Sequence, residues 1–214
     1  MSTITTEQQQ AIAAKLAGMT LPSGLGTEEA ACSIAAINLA LSGKLTDDIP
    51  DCMSKVIGKW IISVQDSMPD DMRNSDRWKS LLPRAAGTGR GKEKERLDII
   101  LDWMWGTVLP TLQPLADDRG FGTEWKRMTT ERTESAAAEA ARAATARAEA
   151  AAWAAARGAW AAAATDAAYA AWEAAWAAAD AAEAAARAYA GATARADTWQ
   201  AFDPCGLLER LIEA

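Results

Sequence analysis

Met53, Val56, Ile57, Trp60, Ile61, Val64 and Met68 follow i, i+3, i+4, i+7, i+8 spacing along the chain, so these side chains share one face of a helix. Asp51 is the expected cap at its start and Pro69 its stop. The same reading finds helices on either side. Thr6 with Gln9 has capping-box spacing and opens a helix to about Leu16. After Gly24, Gly26 and Thr27, the acids Glu28 and Glu29 suit the first turn of a helix to Leu41, ended by Gly43. Its apolar residues cover more than one face: Ile34, Ile37 and Leu41 form a stripe, with Cys32 and Leu39 off it. This helix is expected to be central.

Ser75 to Ala86 gives a further helix with Trp78, Leu81 and Leu82 inward, and residues 85–95 (AAGTGRGKEKE) read as a flexible basic loop. A long helix from Glu93 through Leu109 is expected next. It carries Leu97, Ile100, Leu101, Met104 and Val108 on one face, with Trp103 and Trp105 flanking, and Pro110 and Pro114 kink or end it. No stretch alternates apolar and polar residues as a half-buried strand would, so the fold class is all-α. The expected organisation is a helical bundle over 1–130, a helical tract over 131–196 and a docking segment over 197–214. The mixed Gly, acid and base of 117–134 place the first boundary. Gly191 and the run Asp197–Gly206 break helicity, and Leu207 to Ile212 forms a short amphipathic end helix that docks through Leu207, Leu208, Leu211 and Ile212.

The tract from Ala136 to Ala190 holds 36 alanines in 55 residues, a composition that favours helix as strongly as any. Its exceptions are ordered. Ser135, Glu139, Arg142, Ala146, Glu149, Trp153, Ala156 and Trp160 keep a 4, 3 rhythm, and Asp166, Tyr169, Glu173, Trp176, Asp180, Glu183 and Arg187 keep a 3, 4 rhythm. The two stripes are out of register, which places a bend, stammer or hairpin at 161–165. Either two helices fold back through their alanine faces, or one helix of about 80 Å continues and supercoils with copies of itself. Packing against the bundle in one globular body is the favoured arrangement. The aromatics Trp153, Trp160, Tyr169, Trp172, Trp176 and Tyr189 serve as knobs that set register in an alanine interface. Alternatively Trp172, Glu173, Trp176 and Asp180 form an aromatic and acidic contact patch for a basic partner surface or a cationic ligand.

Composition then narrows the chemistry. Histidine is absent, which removes the commonest general base, the commonest metal ligand and every Ser/His or Cys/His nucleophile. Cys32, Cys52 and Cys205 form no CxxC and read as reduced, buried thiols. With 29 acidic against 22 basic residues, the net charge of −7 disfavours nucleic acid as a partner. The N-terminal MSTITTEQQQ has no leader-like pattern and no stretch is apolar enough to span a bilayer, so no membrane role and a cytoplasmic location are expected. Gly87-Thr88-Gly89-Arg90-Gly91-Lys92 has the glycines of a phosphate loop without its preceding strand or its GxxxxGK[ST] pattern, leaving Arg90 and Lys92 as candidate anion contacts. Glu95, Asp98 and Asp102 share a helix face but lack the histidine partners of a helical metal site, and Asp47, Asp48 and Asp51 lack EF-hand spacing. Thr145, Thr165 and Thr193 do not recur at the regular interval of an ice-binding face. No catalytic residue, metal or cofactor is expected.

Residues 150–176 (AAAWAAARGAWAAAATDAAYAAWEAAW) resemble alanine-rich helical segments of uncharacterised bacterial and phage proteins, some of which are labelled immunity proteins. Residues 27–75 look like a non-repetitive element shared by similar hypothetical proteins. The resemblance implies no catalytic residue. Residues and resemblance together lead to a non-enzymatic helical protein that binds or inhibits another protein by stoichiometric contact. A protein that sequesters a small ligand, with Arg90 and Lys92 as anion contacts, and an oligomer built on the alanine helix are the alternatives.

Overall fold

The computed structural model describes residues 4–146, 153, 157 and 192–214. The patch Trp172, Glu173, Trp176 and Asp180, the second stripe and the slip at 161–165 lie outside the described residues. The fold is all-α. In chain order the elements are α1 (Thr6–Ala17), α2 (Ser33–Ser42), α3 (Lys55–Ser67), α4 (Asp70–Arg73), α5 (Asp76–Ala86) and α6 (Glu93–Trp103). A π-helical turn (Met104–Val108), α7 (Leu109–Thr111), α8 (Gln113–Asp118), α9 (Gly122–Glu131) and α10 (Glu134–Ala146) follow, then α11 (Ala192–Phe202) and α12 (Pro204–Glu213). Extended pairing among the described residues is limited to one bridge, Gly26 with Ala31. Contacts divide the chain into two units, Met1–Arg96 with Pro204–Ala214, and Leu97–Asp203. The division therefore falls inside α6.

In the first unit α1 packs on α2 and α5, α2 on α3, and α12 on α5 and α3. The α3 stripe is buried throughout, from Met53 to Met68. Trp60 and Trp78 meet in its centre with ring centroids 6.1 Å apart, and Leu207, Leu208 and Leu211 close the core from α12. Each such side chain contributes roughly 1.5–3 kcal/mol by leaving water.

Several helix starts differ from the sequence reading. The capping box of α1 is Thr5 with Gln8, one residue earlier than expected. The cap of α3 is Ser54, not Asp51: its hydroxyl accepts from the Ile57 amide at 3.2 Å. That hydroxyl donates in turn to Glu93, whose carboxylate also accepts from the Lys55 amide at 2.8 Å and the Val56 amide at 3.2 Å. A carboxylate at this position meets both orphan donors and the positive end of the helix dipole.

Helix α2 starts at Ser33, five residues after Glu28. The Thr27 hydroxyl accepts from the amides of Glu29 and Ala30 while the Thr27 amide donates to the Ala30 carbonyl at 2.7 Å, so 27–30 closes as a turn instead of opening a helix. Gly26 enters this turn at φ +81°, and a Cβ there would lie 2.1 Å from the Ala30 carbonyl oxygen. Gly26→Ala is expected to lower stability by about 1–3 kcal/mol from backbone strain alone, with the steric contact adding to it. A urea midpoint equal to that of the parent protein would show that the turn rearranges freely.

Cys32, Cys52 and Cys205 form no disulfide and are buried. Burial pushes the Cys32 and Cys52 thiols up from the ordinary range. Thiolates form in the unfolded chain first, so these groups favour the fold below the ordinary thiol range and lose that contribution as pH climbs through it. In native protein at neutral pH, a thiol reagent is expected to label the cysteines only as fast as the chain opens, and denaturant should release all of them at once. Rapid labelling of the folded protein would contradict their burial.

In the second unit the expected continuous helix to Leu109 is interrupted. Pro110 has no N–H to give the Gly106 carbonyl and its ring crowds that group, and the chain widens so that the Leu109 amide reaches Met104 O. The wider turn rotates the stripe. Trp103 and Trp105, expected to flank it, are buried with Met104 and Val108, whereas Leu101 is half-buried. The Trp103 indole donates to the Phe202 carbonyl at 2.7 Å, and Trp125 donates to the Leu109 carbonyl at 2.9 Å.

Helix α9 packs on α8 and α10. Arg132, in the left-handed region at φ 55°, turns the chain between α9 and α10. Ala136, Ala137, Ala140, Ala141 and Ala144 of α10 are buried, while Ser135 and Arg142 of the polar stripe are exposed. The start of the tract thus packs through its alanine face as its rhythm implies. It belongs with α9 because the apolar side of that helix, Trp125 and Met128, needs cover. Residues 197–202, expected to break helicity, lie within α11, with Trp199 and Phe202 buried 5.5 Å apart by ring centroid. The break is confined to Asp203, at φ 43°, and Pro204 opens α12.

Candidate functional site

On α10, Ala138, Ala141, Arg142 and Thr145 follow i, i+3, i+4, i+7 spacing, so they line one strip of the helix beside its buried alanine face. That strip, with Ala146, Trp153 and Arg157, lines a cavity of about 520 Å³ in the second unit. Methyl groups form much of its surface. The Thr145 hydroxyl donates to the Ala141 carbonyl at 2.8 Å, which leaves its oxygen as an acceptor.

Trp153 is 43% exposed, unusual for so large an apolar ring. Trp153 and Arg157, four residues apart in the chain, are each helical. The Arg157 guanidinium lies over the indole, 5.6 Å from the ring centroid. Such stacking is worth about 0.5–1 kcal/mol at an exposed site. It uses the flat face of the guanidinium.

Electrostatically the cavity stands out against an acidic chain. Its described lining includes two arginines and no carboxylate. Arg77, Arg84, Arg90, Arg127 and Arg132 each hold a carboxylate elsewhere, whereas Arg142 makes no ion pair among the described residues. With its alanine surface, an exposed tryptophan and the Arg142 guanidinium, the cavity can hold an apolar group while offering charge-assisted donors to an anion.

The candidate anion contacts of the glycine loop sit in a different environment. Arg90 donates to Asp51 at 2.9 Å, and Lys92 contacts the Ala214 carbonyl and lies 3.8 Å from Glu95. The loop is anchored. Gly89 donates to the Cys52 carbonyl, the Ser54 amide donates to Thr88, and buried Arg96 donates to the Thr88 and Gly89 carbonyls. Burial draws the Arg96 guanidinium below its ordinary range. The nearby helix N-terminus, that of α3, already carries the Glu93 carboxylate. Glu95, Asp98 and Asp102 are exposed on α6, with Asp102 3.5 Å from Arg132.

Another cavity of the second unit, about 340 Å³, is lined by residues including Gln113, Asp117 and Lys126. Its polar groups serve one another: the Gln113 amide donates to both Asp117 and the Gly122 carbonyl. The sequence reading identified Trp153 as an aromatic knob but did not single out Arg142, Thr145 or Arg157 as a group. The signal for them was the i, i+4 Trp153–Arg157 pair and the strip at 138, 141, 142 and 145.

Comparison with family models, with curated proteins and with solved structures finds no match to this chain.

Proposed function

We propose that this chain is a non-enzymatic binding protein that acts by stoichiometric contact with another protein, and that the α10 cavity is part of its contact surface. The observation that carries this reading is Trp153, 43% exposed and stacked by Arg157 beside an alanine surface. Tryptophan and arginine are the residue types that most often dominate binding energy, because each joins a large apolar area to hydrogen-bond donors. The resemblance of 150–176 to segments of bacterial and phage proteins, some labelled immunity proteins, fits an inhibitory role of this kind. Buried cysteines that form no disulfide are compatible with a reducing, cytoplasmic setting.

A photo-crosslinking amino acid at Ala138, introduced in the cells the protein comes from, tests this. A single crosslinked protein of defined mass, lost on Trp153→Ala, is the expected result. No crosslinked product, or one indifferent to Trp153, would sink the proposal. A product of twice the chain's own mass would assign the surface to a second copy. The cavity volume also lies in the range of small-ligand sites, which supports sequestration of a small molecule as a second reading. Stabilisation by one compound in a thermal-shift screen, lost in Arg142→Ala, would favour it.

A further inference from the structure

We infer that α12 is an exchangeable strap: the face of α3 and α5 that it covers receives the α12 of a second copy, so two chains join by reciprocal exchange. Nothing in this depends on the α10 cavity or on the protein-contact reading. Three observations converge. First, the first unit is discontinuous in sequence, breaking off after Arg96 and resuming at Pro204. Its core is closed by Leu207, Leu208 and Leu211 of α12, each 1% exposed or less. Contacts so distant in sequence form late, so the face of α3 and α5 stands open while the chain folds. Second, α12 is held as one protein holds another, through an apolar centre and a polar rim. The rim pairs Arg77 with Glu209 at 3.0 Å and Arg84 with Glu213 at 3.8 Å, and the Arg96 Nε donates to the Leu211 carbonyl at 3.1 Å. A groove that fits this helix from its own chain fits the identical helix of another. Third, α11 ends at Phe202 and α12 begins at Pro204, so Asp203 alone is the hinge. It sits at φ 43°, a region that residues with a side chain enter at a cost. An extended Asp203 relieves that cost and carries α12 away from its own groove. Short hinges under strain favour such exchange.

Concentration decides which groove α12 fills. Its tether gives it an effective concentration on the order of millimolar at its own groove, so dilute chains close on themselves. Chains that fold near that concentration exchange. Once α12 has docked, the burial of its three leucines makes release slow, so monomer and dimer each persist after folding is complete.

The test refolds the full-length protein from urea at about 10 µM and at about 1 mM, below and near the effective concentration, and reads the mass by light scattering. The dilute sample is expected to be monomer, even after it is concentrated, and the concentrated one to contain dimer. Asp203→Gly accepts the hinge angle freely and should lower the dimer fraction, whereas Asp203→Val resists it and should raise the fraction, each by roughly threefold or more. Reversed charges then identify the face. Arg77→Glu with Arg84→Glu makes one variant, and Glu209→Arg with Glu213→Arg makes the other. All four side chains are at least 37% exposed, so both variants should fold, with circular dichroism as the check. Alone, each variant opposes like charges across its own groove. Refolded together at about 1 mM, the two restore every pair by exchange, and heterodimer should exceed either homodimer at least roughly tenfold. Monomer alone in the concentrated parent sample would overturn the inference. So would a dimer fraction indifferent to both hinge variants. Equal dimer in the mixture and in each variant alone would place the association on another face and overturn it too.

Discussion

Replacing Trp78 with alanine is expected to cost the first unit about 3–5 kcal/mol, a large share of the stability of a domain of ordinary size. The indole is fully buried, its centroid 6.1 Å from that of Trp60 with the rings tilted by 50°. Truncation removes the ring's burial and leaves a void facing Trp60 that well-packed neighbours fill poorly. A polar cost adds to it. The Trp78 indole donates to the Ser33 hydroxyl at 3.0 Å, and the Ser33 amide donates to the Gln65 side chain at 2.5 Å, so one substitution disturbs a buried chain of groups linking α5, α2 and α3. Trp78→Phe keeps much of the volume and loses only the donor, which should cost about 1–3 kcal/mol. The measurement is amide hydrogen exchange in α2, α3 and α5, where protection should fall together. Equal losses for Phe and Ala would mean that the hydrogen bond, not the void, dominates. A loss under 1 kcal/mol for Ala would refute the packing argument.

Parts of this architecture are written locally and parts are not. The α3 stripe is legible because each of its residues, Met53 to Met68, answers to one helix face, and all of them are buried. The start of the alanine tract, up to Ala146, is legible for a related reason: Ser135, Glu139 and Arg142 mark the polar side, and the alanines opposite them pack inward. The start of α2 is not, because Thr27 is by residue type the better cap and its hydroxyl is diverted to a turn, leaving Cys32 to cap through sulfur at 3.4 Å from the Ala35 amide. The α3 cap is illegible in another way. Glu93 lies 39 residues from Ser54, and nothing in the local pattern connects them. The same holds for the glycine loop, where Arg90 and Lys92 are conspicuous in sequence while Asp51 and Ala214, which they meet, are distant in it. The π-helical turn leaves a trace in Pro110, but a proline there fits a kink, an end or a bulge equally well. Trp153 stands out from its alanines, yet the cavity beside it depends on bringing 138–146 to Trp153 and Arg157, which no periodicity specifies.

Arg73→Met is expected to destabilise the first unit by about 3–5 kcal/mol, although it removes what looks like a salt bridge with a surface carboxylate. The two partners are unequal: the Arg73 side chain is 4% exposed and that of Asp70 is 89% exposed. An ion pair with a solvated partner contributes at most about 1 kcal/mol, so Asp70→Asn should be nearly silent. The work of the guanidinium lies on its other side. Its Nε donates to the Leu21 carbonyl at 2.8 Å, and Nη1 donates to the Gln65 and Met68 carbonyls at 2.7 and 2.9 Å. Gln65 and Met68 belong to the end of α3, where the last carbonyls have no partner within the helix, so Arg73 serves as a cap delivered from α4. It also ties the connection before α2 to the end of α3, helped by Asn74, which accepts from the Leu21 amide at 2.7 Å and donates to its carbonyl at 3.1 Å. Methionine fills similar space and donates nothing, leaving buried carbonyls unsatisfied at about 1–3 kcal/mol each before relaxation. Lysine keeps the charge but cannot reproduce the planar fork that reaches three carbonyls at once, so Arg73→Lys should fall between the two. Urea unfolding of the Met, Lys and Asp70→Asn variants decides the matter. If Asp70→Asn costs as much as Arg73→Met, the ion pair and not the carbonyl cap is what holds this corner.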